Sequence, residues 1–304
     1  MLSLSDIVNV KVGIGRGVFE APGATVIGGK KPSFNLEILK LFANGEQGFW
    51  YDPNDLYTMF QDVAGTVPVT AVGQPVGLIL DKSKGLLLSS NLITNGSFKD
   101  GTTGWILGGA AALVNGAVSL TGGGGASTLK CTVTLEVGKT YLLTAKVFNV
   151  VGAGLTSANS GALGFQGTRV FEATSDVTGI YFRCFGAVGS NNSASITNIE
   201  LHEISKSFAQ QETSSMRPLL AATPQRIDFD TVDDKLITTL PTQLTGCTVI
   251  RSVPNVGTQI LTGQTIPATY NDNTDHCGLI VINRALTPSE TSVITTEFNK
   301  RAGV

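Results

Sequence analysis

The chain has 304 residues, of which 42% are apolar and only 14% charged, and its formal net charge is −2. The apolar fraction is enough to bury a core, and low charge with 36 glycines favours short strands and tight turns over long helices. A net negative chain is not expected to bind nucleic acid or anionic membranes by bulk electrostatics. The sequence also contains no apolar run of roughly eighteen residues that would predict a membrane span.

The first part of the chain is glycine-rich, with short alternating runs such as IVNVKVGIG. Residues 1–33 are too few to bury a core of their own, and their pattern predicts an edge strand or an arm that pairs with another chain. FNLEILKLF (34–42) is compatible with a short helix or a strand. The start MLSLSDIVNV lacks the basic and apolar stretches of a secretory signal, so we expect synthesis and folding in a cytosol.

Three consecutive aromatic residues, Phe49, Trp50 and Tyr51, precede an Asp-Pro turn. They could stack on a sugar or a base, or they could fill a core. Neighbours on a strand point to opposite faces, so the three rings cannot all meet one ligand, and we favour packing. We expect Asp52 and Asp55 to bond the turn backbone. NDLYTMFQD then predicts a single helical turn.

From residue 91 the sequence pattern changes and predicts strands separated by turns rich in Asn, Gly and Ser. This pattern is typical of an antiparallel sandwich. In TLKCTVTLEV, apolar residues at 129, 131, 133 and 135 alternate with polar residues, so one face of this strand is predicted to be buried. SKSFAQQETSS (205–215) reads as a linker, and RIDFDTVDDKLITTL returns to strand.

The last segment predicts a helix with a complete start signal. Thr287 suits the N-cap, Pro288 the first helical position and Glu290 the capping box, and Gly303 suits the C-cap. We also expect Val293, Ile294 and Phe298 to form one apolar face, with Lys300 and Arg301 complementing the dipole at the helix end.

Chemical motifs are weak throughout the chain. The four cysteines form no CxxC pair, and no nucleophile elbow, phosphate loop or dinucleotide fingerprint is present. YNDNTDHC (270–277) could offer oxygens to calcium, but a polar hairpin turn is the better interpretation. Asp228 and Asp230 would lie about 7 Å apart on one strand face, a spacing open to a glycosidase pair but also to any acidic strand. We therefore predict no catalytic residue, no metal and no cofactor.

Several segments resemble virion proteins of bacteriophages and prophages. FWYDPNDLYTMFQDVAGTVPVTAVGQPVGLILDKS (49–83) resembles their W-Y-D-P-S-D…F-Q-D…G-Q-P-V-G-x-I-x-D-K-S segment, through Trp50, Tyr51, Asp52 and Asp55. SMRPLL, with Arg217, and DFDTVDD, with Asp233 and Asp234, are similar to later motifs of that family, although Thr231 stands where glycine is usual. GLIVINRALTPSE (278–290), with Arg284, resembles the closing strand and helix of laminin-G/concanavalin-like lectin folds.

The stretch between these motifs resembles a different family. NLITNGSFKDGTTGW and SITNIELHEI are similar to the start and end of a carbohydrate-binding jelly roll. In that resemblance Trp105 belongs either to the fold or to a ligand platform, and Tyr181 and Phe182 are further carbohydrate-binding candidates. Lys99 and Thr197–Asn198 occupy positions where relatives hold calcium, and an ammonium group cannot ligate that ion.

The resemblance implies a mainly β protein with two antiparallel β-sandwich (jelly-roll) modules, one inserted in the other, an N-terminal arm and a short C-terminal helix. Its boundaries would be an anchoring or oligomerisation segment at 1–47, a lectin-like sandwich at 48–89 and 207–304, and an inserted jelly roll at 90–206. Inserting a domain in an exposed loop costs little, because loop closure depends weakly on loop length.

The function implied is that of a non-enzymatic virion component, such as a tail or collar fibre, a spike or a head decoration, made in the host bacterial cytoplasm. Its expected partners are other virion proteins, bound through the N-terminal segment, sister chains in a homo-oligomer (a trimer by resemblance), and host-surface glycans. A purely structural decoration without glycan binding is the first alternative, and a glycosidase acting on surface polysaccharide is the second.

Overall fold

The computed structural model describes residues 33–123, 125–152, 155–157, 164–174, 179–184 and 191–304. In these ranges the chain is mainly β, with antiparallel strand pairing, as the sequence predicted. One compact unit runs from Phe34 to Val304, whereas the predicted anchoring segment lies outside the described residues as far as residue 32. No helix in the described ranges is long and apolar enough to cross a membrane.

The secondary-structure elements of the described residues are two α-helices and a series of short and long strands. The helices are α1 (Phe34–Leu41) and α2 (Pro288–Ala302). The strands are, in chain order, β1 (Gly48–Tyr51), β2 (Met59–Phe60), β3 (Leu78–Ile79), β4 (Trp105–Gly108), β5 (Ala112–Val114), β6 (Ala117–Gly122), β7 (Ser127–Cys131), β8 (Thr140–Val151), β9 (Leu155–Ser157), β10 (Gly164–Phe165), β11 (Thr168–Glu172), β12 (Ile180–Cys184), β13 (Asn192–Ile204), β14 (Ala209–Gln210), β15 (Leu219–Ala221), β16 (Arg226–Asp228), β17 (Leu236–Thr239), β18 (Leu244–Val253), β19 (Gly257–Ile266), β20 (Thr269–Asp272) and β21 (Leu279–Ile282).

These strands form four larger sheets and one two-stranded ribbon. Sheet A has the order β1-β21-β18-β19, sheet B has the order β2-β3-β14-β17-β20, and sheet C is the ribbon that pairs β15 with β16. Sheet D has the order β10-β9-β12-β7-β4, and sheet E the order β11-β8-β13-β6-β5. Sheets A and B therefore combine strands from both ends of the described chain, whereas sheets D and E use only its middle.

Sheets A and B pack face to face over one apolar core. Phe49 and Val281 from sheet A meet Met59, Ile79 and other side chains from sheet B in this core. The opposite face of sheet A is covered by the helices, where Trp50 and Ile280 contact Ile38, Ile294 and Phe298. Gly48 allows β1 to lie close to β21, because a Cβ at this position would come within 1.9 Å of the Val281 carbonyl oxygen.

Sheets D and E enclose a second apolar core, to which Leu129 and Phe182 contribute from sheet D and Leu143 and Leu201 from sheet E. The other face of sheet E packs on the other face of sheet B, as shown by a smaller cluster that joins side chains from both sheets. That cluster contains Phe60, Leu78, Leu80, Leu142, Val170 and Ile204.

The order of layers is therefore helices, sheet A, sheet B, sheet E and sheet D. Packed sheets lie about 10 Å apart, so sheet D is roughly 30 Å from sheet A. The outer face of sheet D is the layer farthest from the helices. Helix α1, which begins at Phe34, lies in the opposite outermost layer.

Several local predictions are confirmed. Burial alternates from residue 129 to 136, and α2 begins with the predicted capping box at Thr287 and Glu290 and ends at Gly303 in the left-handed region. Leu56–Thr58 forms the expected single turn, as a 3-10 helix.

The prediction of which residues form the apolar face of α2 was partly wrong. The buried residues are Ile294, Phe298 and Ala302, which recur every four residues, whereas Val293 is exposed. The acidic strand also ends earlier than predicted, because β16 stops at Asp228 and Asp230 belongs to the following loop.

Candidate functional site

The three aromatic residues of β1 are all buried, which confirms the packing interpretation. Phe49 and Tyr51 point into the core between sheets A and B, where their rings stack with centroids 4.8 Å apart. Trp50 points to the other face of sheet A and packs under the helices. The Tyr51 hydroxyl donates to the carbonyl oxygen of Ser207 and lies 2.7 Å from Thr238 Oγ1. Stacking on Phe49 and these hydroxyl contacts together fix the position of the Tyr51 ring.

A buried group of charged side chains follows this strand, and we call Asp52, Lys82 and Arg301 the Asp52 cluster. Lys82 Nζ lies 3.1 Å from Asp52 and 2.8 Å from Asp55, and it also sits 4.5 Å from the centre of the Trp50 ring. Arg301 donates to Asp52 over 2.6 Å from the end of α2. The cluster thus joins the start of sheet A to the last helix.

The electrostatics of this cluster favour the ionised form of Asp52. Burial by itself would raise the pKa of Asp52, but Lys82 and Arg301 outweigh that effect and hold it below its ordinary value. Asp52 also accepts a bond from the Asn54 backbone, as predicted for the turn. Asp55 does not cap the turn through its side chain and pairs with Lys82 instead.

Asp81 lies beside this cluster and is fully buried. Its carboxylate accepts hydrogen bonds from the Trp50 backbone, from the backbone and hydroxyl of Ser83, and from the Ser205 hydroxyl. Burial raises the pKa of Asp81, although these four donors oppose the shift. The D-K-S segment therefore fixes β1 to the end of the middle region.

The two predicted arginines act as structural clamps. Arg217 donates to three backbone carbonyls, those of Gln61, Gln211 and Glu212, at 2.9 to 3.0 Å. Arg284 forms a bidentate pair with Glu290 at 2.8 and 2.9 Å and also contacts Glu46 and the Leu41 carbonyl. It thereby joins the end of α1 to the start of α2.

The acidic loop after β16 closes on itself. One carboxylate oxygen of Asp230 accepts from the backbone of Val232, Asp233 and Asp234, while Asp234 accepts from the Asp230 backbone. Carboxylate oxygens of Asp230, Asp233 and Asp234 lie within 4.8 Å of one another. These groups are largely exposed, and the carboxylates of Asp230 and Asp234 accept hydrogen bonds from the backbone of the loop. We therefore assign the loop a structural role.

A second buried ionic group was missed by the sequence analysis. Asp272, considered there as a calcium ligand or a turn residue, is buried with its carboxylate 2.9 Å from both Arg251 and His276. Burial would raise the pKa of Asp272, but the two basic neighbours lower it. The only advance signal was the i, i+4 spacing of Asp272 and His276.

Asp228 and Asp275 are two neighbouring carboxylates of the described residues that could be considered as a catalytic pair. Burial and the neighbouring Asp228 raise the pKa of Asp275, whose carboxyl lies within hydrogen-bonding distance of that of Asp228. Arg226 pairs with Asp228 at 2.8 Å. Glycosidase carboxylates stand roughly 5 to 10 Å apart to admit the sugar or water, so two carboxyls in direct contact do not suit that chemistry.

The three carbohydrate-binding candidates do not form one surface. Trp105 is 6% exposed and Phe182 is fully buried, and both belong to the core between sheets D and E. Their rings pack on Phe98 and Phe165, respectively, so neither offers a face to a sugar. Tyr181 lies on the outer face of sheet D and is half-buried, with the Arg183 guanidinium 4.4 Å from its ring centre.

Comparison with known proteins adds no assignment: the sequence matches no protein-family model and no curated protein.

Proposed function

We propose that this chain is a non-enzymatic structural protein of a bacteriophage or prophage particle that carries two β-sandwich (jelly-roll) modules, one inserted in the other. The observation that supports the proposal is the structural role of the residues in the motifs. Trp50, Tyr51, Asp52, Arg217 and Arg284, on which the resemblance to virion proteins rests, are all engaged in packing or in holding distant segments together.

The arrangement of layers supports the insertion. Sheets A and B take strands from both sides of residues 90–206, and the middle strands form sheets D and E around a core of their own. The apolar contact between sheets B and E favours a fixed rather than a swinging module. Under this proposal the N-terminal segment, residues 1–47, attaches the chain to the particle or to sister chains, and sheet D, the layer farthest from α1, faces outward.

Attachment to host-surface glycans and purely architectural decoration remain the two candidate roles. The burial of Trp105 and Phe182 favours the architectural role, because neither ring can stack on a sugar. The half-buried Tyr181 on the outer face of sheet D is the observation that favours attachment. A glycosidase is less well supported, since Asp228 and Asp275 lie too close together.

Mass spectrometry of purified particles, induced from the host that carries the gene, tests the virion proposal. Peptides from this chain should co-purify with the particles through a density gradient, and their absence from intact particles would overturn it. A glycan array and a host-cell binding assay, run beside light scattering for the oligomer mass, then separate the two roles. Saturable saccharide binding indicates attachment, whereas a defined oligomer without binding indicates decoration.

A further inference from the structure

The outer face of sheet D has a distinctive charge pattern. Its five strands contain two basic residues, Lys130 and Arg183, and no acidic residue. The whole chain has a net charge of −2, so this face is basic against the trend of the molecule. Sheet D is also the layer farthest from the helices. Its other face is buried in the core that it shares with sheet E.

The register of the strands places four side chains of this face together. Ile106 pairs with Lys130, and Lys130 pairs with Tyr181, so the three stand side by side on adjacent strands. Neighbouring strands lie about 4.8 Å apart, which makes this row roughly 10 Å long. Arg183 lies two residues beyond Tyr181 on the same face, with its guanidinium over the tyrosine ring.

The exposure of these residues leaves the row open at one end. Ile106 is 62% exposed, and Lys130 is exposed beside it. Lys130 passes over Gly179, where a Cβ would come within 3.1 Å of the lysine Cε. The described part of this face thus combines one apolar side chain, one aromatic ring and two cations.

We propose that the outer face of sheet D binds an acidic polysaccharide, that is, one with carboxylate groups along the chain. Lys130 and Arg183 would pair with carboxylates, while Ile106 and Tyr181 would pack on the apolar faces of the sugar rings. This inference rests on the glycan-attachment branch of the proposed function and supplies its ligand class.

The number of cations distinguishes this ligand from nucleic acid. Proteins that bind duplex DNA tightly neutralise on the order of six to ten phosphates, whereas this face offers two cations. Two cations suit a ligand whose charges are sparse and whose remaining surface is neutral, as in a polysaccharide that carries one carboxylate per sugar or per repeat.

The test compares an acidic polysaccharide with its neutral methyl ester. The full chain would be passed over immobilised polygalacturonate and over the same polymer with its carboxylates methyl-esterified, at low and at physiological salt, in biolayer interferometry. We expect saturable binding to polygalacturonate, much weaker binding to the ester, and a loss of affinity as salt rises.

Two charge reversals provide matched variants. Lys130→Glu should weaken binding to polygalacturonate roughly three- to tenfold, because it replaces an exposed attraction with a repulsion. Lys146→Glu is the control, since Lys146 is also an exposed lysine beside an aromatic ring, that of Phe148, but lies on sheet E. It should leave affinity unchanged, and circular dichroism would establish that both variants are folded.

The outcomes separate this inference from the proposed function. Binding to neutral glycans on the array without binding to polygalacturonate would overturn the acidic class and leave attachment standing. Equal binding to a single-stranded oligonucleotide, or equal loss in both lysine variants, would also overturn the inference. Absence of binding to every saccharide would remove the attachment branch altogether, with the virion role still tested by the particle analysis.

Discussion

Sheets A and B are tied together by buried ion pairs, whereas the ion pairs described in sheets D and E are partly exposed, although sheet E also buries Arg169 and His202. Asp52 and Asp272 are buried in contact with two basic side chains each. In the middle region, the pair of Lys139 with Glu203 is partly exposed. The two regions are of similar architecture, so the difference calls for a physical reason.

Chain connectivity offers that reason. The strands of sheets D and E come from one continuous stretch, and alternating apolar residues are enough to bring neighbouring strands together. Sheets A and B join segments separated by more than a hundred residues, and their paired strands β1 and β21 are buried on both faces, so alternation of apolar and polar residues does not specify their register. Buried, directional ion pairs restrict the possible alignments, and we interpret the Asp52 cluster as such a device.

The largest effect should come from Trp50→Ala. Truncating this fully buried ring should lower the free energy of unfolding by about 3–5 kcal/mol, the usual range for a core aromatic. Urea unfolding followed by circular dichroism measures the loss. Tyr57→Ala, at an exposed aromatic, is the control and should change stability by less than about 0.5 kcal/mol.

The same variant tests how far the two regions are coupled. Only two tryptophans are present, so Trp105 fluorescence then reports the middle region alone. Coincident transitions by fluorescence and circular dichroism would indicate that the contact between sheets B and E joins the regions in one unfolding step. Any polysaccharide binding should survive in the folded fraction. Unchanged stability with lost binding would contradict the packing role of Trp50.

The next largest effect should come from the Asp52 cluster. Asp52→Asn removes the charge that compensates buried Lys82 and Arg301, and we expect a loss of about 3 kcal/mol. Asp100→Asn, at an exposed acid of the middle region, should be nearly neutral. The measurement is again chemical unfolding. Equal small effects for both variants would remove the contrast drawn between the two regions.

Acid should weaken the packing of α1 and α2 through Glu290. Its bond with Arg284 lowers the pKa of Glu290 from 4.5 to about 2. Because the pKa is depressed in the folded state, the stabilisation is present above pH 4.5 and is lost as the pH falls toward 2. Asp52 and Asp272 act in the same direction, while Asp81, whose pKa is raised, acts in the opposite one.

Glu290→Gln isolates this contribution. The pH dependence of the melting temperature between pH 4.5 and 2 should flatten by an amount equivalent to about 1–2 kcal/mol, reduced from the full shift because the side chain is partly exposed. The exposed Glu212→Gln should leave the slope as it is. A slope that is identical in both variants would show that the pair with Arg284 does not contribute.

The smallest effect should come from the start of α2. Thr287→Ala removes the side-chain acceptor of the Glu290 backbone and should cost about 1 kcal/mol. Thr287→Ser keeps the hydroxyl and should retain most of the stability. A loss of the same size in the serine variant would assign the effect to the lost methyl group instead of the cap.

Local features of the fold could be predicted from the sequence. Alternation over 129–136 gave the buried face of β7 and the residues after it, the capping box gave the start of α2, and adjacent aromatic residues in β1 had to be divided between two faces. Such features depend on residues a few positions apart, because backbone geometry fixes the direction of neighbouring side chains.

The tertiary structure alone decided which distant residues meet. Asp52 and Arg301 are 249 positions apart, and nothing in their local sequence pairs them. The burial of Trp105 and Phe182, and the position of Lys130 and Arg183 on an outer face, likewise depended on which sheet covers which. Local periodicity says that a strand has two faces, but only the packing of the layers decides which face meets solvent.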